Sequence, residues 1–136
     1  MKVAVFLFTL LFFSSIAAAQ RCVSPSTPTS DETHWGGNEV IRMREEESIS
    51  RLRGRVEAPD GTPLYEALVE VFAGEKRIIA CRVSDNASFD IAGIKKGQYE
   101  LRVSWGAVFN VSVIDVSVNP RVRDKRKLVV TLGLGT

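Results

Sequence analysis

Histidine is almost absent from this chain, and with it goes much of the chemistry that proteins run near neutral pH. The one imidazole, His34, lies beyond a proline-punctuated polar stretch. A Ser-His-Asp or Cys-His arrangement would therefore rest its general base on a segment with little to hold it. A zinc hydrolase site needs a His-x-x-Glu pair and a further histidine, and neither is present. Cysteine is scarce as well. Cys22, His34 and Cys81 are spaced unlike any zinc motif. No catalytic residue, metal site or cofactor is assigned, and the chain is expected not to be an enzyme.

A dominant charge of one sign is missing too. Of 18 basic side chains one, Lys2, lies in the apolar leader described next, which leaves 17 against 16 acidic. Such a balance gives no global reason to seek nucleic acid or anionic lipid. The basic stretch Arg121, Arg123, Lys125, Arg126 and Lys127, interrupted by Asp124, reads as a solvated loop.

The one long hydrophobic run stands at the start. Lys2, the apolar segment Val3 to Phe13 and the small residues Ala17-Ala18-Ala19 have the form of a secretory signal peptide over 1–19, cleaved to leave Gln20. The run is shorter than the roughly 20 residues of a spanning helix. Ser14 and Ser15 interrupt it, and no positive cluster follows. Gln20 and Arg21 stand where a lipidation motif would want small residues. The expected product has no transmembrane segment after cleavage and is secreted, periplasmic or at the cell surface. In an oxidising space, Cys22 and Cys81 invite a disulfide. Alternatively Cys81, in phase with Ile79 and Val83, is a small buried hydrophobe.

Residues 20–48 read as an N-terminal tail, partly disordered. Ser24-Pro-Ser-Thr-Pro-Thr-Ser30 cannot bury enough surface to fold alone. Val40, Ile41 and Met43 fit a short helix or an edge strand equally. From 49 to 136 the pattern changes to short alternating runs bounded by Asp-Gly, Pro and Gly turns. Seven strands are expected: Ile49 to Glu57, Leu64 to Phe72, Arg77 to Val83, Phe89 to Ile91, Gln98 to Ser104, Phe109 to Val118 and Lys127 to Leu132. In the first, Leu52, Gly54 and Val56 face in while Arg51, Arg53 and Arg55 face out. Gly54 marks a bulge or the close approach of another backbone. In the sixth, Phe109, Val111 and Val113 share one phase and Ile114, Val116 and Val118 the other, so a β-bulge is expected at Val113–Ile114. The fold class is all-β, a seven-stranded antiparallel β-sandwich of immunoglobulin-like architecture.

Gly54-Arg-Val56, Pro59-Asp-Gly-Thr-Pro-Leu64, Ala67-Leu-Val-Glu-Val71, Ser84-Asp-Asn-Ala-Ser-Phe89 and Ile94-Lys-Lys-Gly-Gln-Tyr99 together resemble the carboxypeptidase regulatory-like domain. That family is a transthyretin (prealbumin-like) β-sandwich, and the chain looks like a small secreted bacterial example. The resemblance covers Ile49 to about Val103 well and implies the accessory domain of such enzymes, without their catalytic one. At Ala87-Ser88 the chain departs from the pattern, in which a glycine precedes the phenylalanine. Tyr99 is expected to send its hydroxyl to a backbone acceptor, as in a tyrosine corner.

Binding is the remaining class. Asp85, Asn86 and Asp90 offer calcium-type oxygens, but these are also ordinary turn residues. Asn86-Ala-Ser88 and Asn110-Val-Ser112 match the glycosylation pattern. Trp105, at the turn between the fifth and sixth strands, can stack on a sugar or anchor a partner, or cap the core in phase with Leu101 and Val103. Tyr65 and Trp35 are the other candidates. The expected function is a non-catalytic envelope module for protein–protein or structural interaction. The partner is another envelope or extracellular protein, met through β-edges and the Trp105 loop. The alternative is a carbohydrate-binding module using the loop aromatics.

Overall fold

The computed structural model describes residues 21–23, 39–84, 86–106, 108–123 and 126–135, the first three through their backbone. Among them are ten strands and no helix. These are β1 (Arg21–Val23), β2 (Val40–Arg42), β3 (Glu47–Ile49), β4 (Leu52–Glu57), β5 (Leu68–Ala73), β6 (Lys76–Arg82), β7 (Ser88–Ile91), β8 (Gly97–Ser104), β9 (Val111–Val118) and β10 (Leu128–Thr131). Seven of them form a sheet in the order β1-β6-β5-β8-β9-β2, with β3 also on β9. The other three form a sheet in the order β10-β4-β7.

Period-two alternation decides which side chains meet between the sheets. Leu52 and Val56 of β4, Phe89 and Ile91 of β7, and Leu128 and Val130 of β10 pack against Val69, Val71, Leu101, Val103, Ile114 and Val116 of the larger sheet. Both sheets thus share one core, an arrangement compatible with a β-sandwich. The expected purely antiparallel pairing is corrected. β2 and β3 run parallel to β9, and β10 runs parallel to β4, so both sheets are mixed. Parallel neighbours need a long crossover, and the many residues separating β3 from β9 and β4 from β10 supply it.

The single expected strand Ile49 to Glu57 is two strands in two sheets. Ile49 and Leu52 are both buried although three residues apart, which one flat strand cannot do. The chain turns at Ser50–Arg51 and passes from β9's side to the facing sheet. The expected bulge at Val113–Ile114 is absent too. The β8–β9 ladder runs without a slip from Gly97↔Val118 to Val103↔Ser112, and the register shift lies instead at Val71/Phe72 of β5. β9 needs no bulge because both its faces are covered. Ile114, Val116 and Val118 join the core, while Val111 and Val113, on the other face, are also buried.

Other local expectations have direct counterparts. Gly54 lies where a Cβ would stand 2.2 Å from the Leu128 carbonyl oxygen, so its role is close approach rather than a bulge. The Tyr99 hydroxyl donates to the Lys95 carbonyl at 2.7 Å. Ala87 holds φ at 59°, a conformation costly for a residue with a Cβ. The Ala87 N–H donates to the Ser84 carbonyl (2.8 Å) and the Ser88 N–H to Asn86 Oδ1 (3.2 Å), which together hold that turn.

Candidate functional site

Two of the three aromatic candidates come together. Trp105, at the end of β8, donates its indole N–H to the Tyr65 carbonyl at 2.6 Å. Its ring meets Phe109 edge-on, with centroids 5.4 Å apart. It is half-buried and packs against the core. The indole is therefore already committed on one face and at its polar tip. Tyr65 is 55% exposed, and Val108 and Leu134 at the neighbouring strand ends are also exposed. The corner thus offers one open ring rather than a two-ring platform. Trp35 lies outside the described residues, as does His34.

The more open surface is a seam where the two sheets leave their edges. β2 pairs only with β9, and β10 only with β4, among the described strands. Between them runs a groove of about 630 Å³. Its floor is Ile49, Ile114 and Leu128, its rim carries Met43 and Val129, and both cations (Arg42, Arg44, Arg126, Lys127) and carboxylates (Glu45, Glu47) line it. Met43 and Val129 are about half exposed, as are Val40 and Ile41. Arg126 donates to the Ser48 carbonyl at 2.9 Å and so occupies part of the β3 edge. Among the described residues no side chain is seen to bond the β2 edge in this way.

A charge clamp sets where β2 lies. Arg42 donates to Glu100 Oε2 at 2.8 Å and to Asp115 Oδ1 at 2.9 Å, bridging β8 and β9 from the edge. Arg102 reaches the other Glu100 oxygen at 2.5 Å, and its guanidinium lies 3.9 Å over the Phe72 ring. The hydrogen bond to Glu100, then that to Asp115, raises the Arg42 pKa. Burial is the largest single influence on Glu100 and opposes its ionisation. Hydrogen bonds from Arg42 and Arg102 and their charges together outweigh it, holding the carboxyl below its usual value. A depressed carboxylate stabilises the fold above its unfolded pKa and loses that contribution as pH falls through the folded value. Amide protection at Ile41 and Met43 should therefore hold at pH 7 and begin to fall below about pH 4. In Arg42→Ala the same amides should already be weakly protected at pH 7 and show little further pH dependence. Native-state hydrogen exchange, expressed as protection factors, reads both.

Sequence reasoning placed β2 and most of β3 in the tail. The β-branched pair Val40-Ile41 and the buried Ile49 three residues before Leu52 were the available signals. Of the calcium candidates, Asp85 lies outside the described residues. Asn86 Oδ1 accepts from the Ser84 hydroxyl and the Ser88 N–H, and Asp90 accepts from Arg51. Asn110, the second acceptor-pattern asparagine, is buried with its amide on the Leu134 carbonyl at 3.3 Å. Cys22 and Cys81 are Cα partners in the β1–β6 ladder, and Cys81 is fully buried. No protein-family model matches this chain, and no curated protein sequence matches it either.

Proposed function

We propose that the mature chain is a secreted or periplasmic, non-catalytic β-sandwich of the carboxypeptidase regulatory-like, transthyretin-like kind. It binds another envelope or extracellular protein by accepting an extended segment along the seam between β2 and β10. The observation that carries this reading is a pair of edges with no further strand on them among the described residues, flanking a groove with an apolar floor. An incoming strand gains main-chain hydrogen bonds from an edge and seats alternate side chains in the groove. An edge left with exposed Val40, Ile41 and Met43 is a liability that proteins ordinarily blunt, and a partner strand would cover it. A Cys22–Cys81 disulfide belongs to the same proposal. Facing residues of an antiparallel pair stand about 4.5–5.5 Å apart at Cα, within the range a disulfide spans.

Photo-crosslinkers at Met43 and Val129, with Tyr65 as the comparison position, test this in the native envelope. The same partner should be captured at both groove positions through one extended segment. The purified pair should then gain amide protection in β2 and β10. The second reading, a carbohydrate module, draws on the exposed Tyr65 ring beside Trp105. It predicts instead that soluble glycans quench tryptophan fluorescence, that Tyr65→Ala abolishes the effect, and that β2 protection is unchanged.

A further inference from the structure

The outer face of the three-stranded sheet is built differently from the seam. Arg51, Arg53 and Arg55 project from alternate positions of the β4 segment, opposite the buried Leu52, Gly54 and Val56. The register places Arg53 beside Asp90 and Arg55 beside Ser88 of β7 on one side, and Arg55 beside Val129 of β10 on the other. A groove of about 610 Å³ follows this face, lined among others by Arg53, Arg55, Ser88, Asp90 and Lys127. Among the described residues, basic groups here (Arg51, Arg53, Arg55, Lys127) outnumber acidic ones (Asp90, Glu57) by four to two. The described carboxylates are held in pairs: Arg51–Asp90 at 2.5 Å, with both side chains about half exposed, and Arg55–Glu57 at 3.1 Å, with Arg55 61% and Glu57 17% exposed, while Arg53 is half-buried and engaged as well. An exposed pair such as Arg51–Asp90 contributes little to stability and can give way to another anion.

We propose that this face binds an acidic polypeptide segment in extended conformation. Side chains two apart on one face of a strand repeat about every 6.7 Å, and so do alternate carboxylates of an extended acidic peptide. Each arginine can then meet a carboxylate with two parallel N–H donors. Nucleic acid fits less well. Among the described residues the one aromatic lining this groove, Phe89, is buried and offers no face on which a base could stack, and the near-neutral chain supplies no broad attracting field. Lys127 and Val129 line both grooves, but the proposal depends on the β4 arginines and the seam reading on Met43 and the β2 edge, so either can fail alone.

Fluorescence anisotropy on the mature protein provides the test. The probes are a labelled peptide of alternating glutamate and threonine, a peptide of the same composition with its glutamates in one block, and a single-stranded oligonucleotide. The alternating peptide should bind at least about fivefold tighter than the block peptide. Arg53→Ala/Arg55→Ala should weaken it about tenfold or more, and Arg53→Lys/Arg55→Lys should recover only part of the loss. Arg121→Ala/Arg123→Ala, at residues that do not line this groove, should leave binding unchanged. Circular dichroism checks that the variants fold, and Lys127→Gln, expected to weaken binding severalfold, stands in for the double variant if that one does not. Absence of binding, equal affinity for the two peptides, preference for the oligonucleotide, or indifference to the arginine substitutions would each overturn the proposal.

Discussion

Gly54→Ala is expected to unfold the protein or lower its melting temperature by roughly 12 °C or more. The conclusion follows from register and from what the new methyl group would meet. β4 and β10 run side by side with Gly54 opposite Leu128. A Cβ at 54 would stand 2.2 Å from the Leu128 carbonyl oxygen, 2.9 Å from its carbonyl carbon and 3.0 Å from its Cβ. Two of these are backbone atoms, which cannot rotate aside as a long side chain can. Relief requires β10 to shift, and β10 carries Leu128 and Val130 into the shared core. Overpacking a core costs about 1–3 kcal/mol when side chains can adjust, so a backbone clash is set at about 3 kcal/mol or more. For a domain of this size each kcal/mol moves the melting temperature by roughly 4–8 °C. Gly61→Ala is the control. It meets nothing within 4 Å, but its φ of 85° is unfavourable for alanine, so a loss of only about 1 kcal/mol is expected. Thermal melts of the two variants should differ accordingly; similar melts would remove the close approach from the account.

The second large effect concerns Cys22 and Cys81. If the two facing residues are bridged, the unfolded and unreduced protein contains no titratable thiol. The bridge closes a loop of about sixty residues, for which the chain-entropy estimate is about 4 kcal/mol. Reduction, or Cys22→Ala, should therefore lower the denaturation midpoint sharply. Stability would fall by up to that amount, a large share of the roughly 5–15 kcal/mol available to a typical domain. The folded remainder should lose β1 from the β6 edge. Two thiols per chain in the unreduced sample would leave Cys81 as the small buried hydrophobe that its position also fits.

Legibility from sequence divides along a physical line. Elements fixed by local patterning were readable. The alternation in Leu52–Glu57, the inward set Ala67, Val69 and Val71, and the Tyr99 hydroxyl bond all depend on residues close in the chain. Sheet membership and strand direction were not. They depend on which distant strand becomes the neighbour, and the pattern of β10 is the same whether it lies parallel or antiparallel to β4. β9 shows the cost of reading phase alone. Two apolar phases suggested an inserted residue, whereas burial of both faces explains them without one. β2 stayed undecided between a short helix and an edge strand because three half-exposed residues, Val40–Arg42, carry too short a pattern; it is the Arg42 bridge to Glu100 and Asp115 that marks where it docks. In the candidate site, the pairing of Trp105 with Tyr65 needed a turn and a strand end forty residues apart to be brought together. The arginine repeat of β4 was visible, and the groove beside it was not.

Everything proposed for the seam depends on β2 and β10 being parallel edge strands. Inter-strand nuclear Overhauser contacts in the free protein address this most directly. Main-chain cross-peaks linking Ile41 with Ser112 and its neighbours, and Val129 with Arg55 and its neighbours, are expected in the parallel pattern. Coil-like shifts over residues 39–46 together with an antiparallel pattern at β10 would contradict the account.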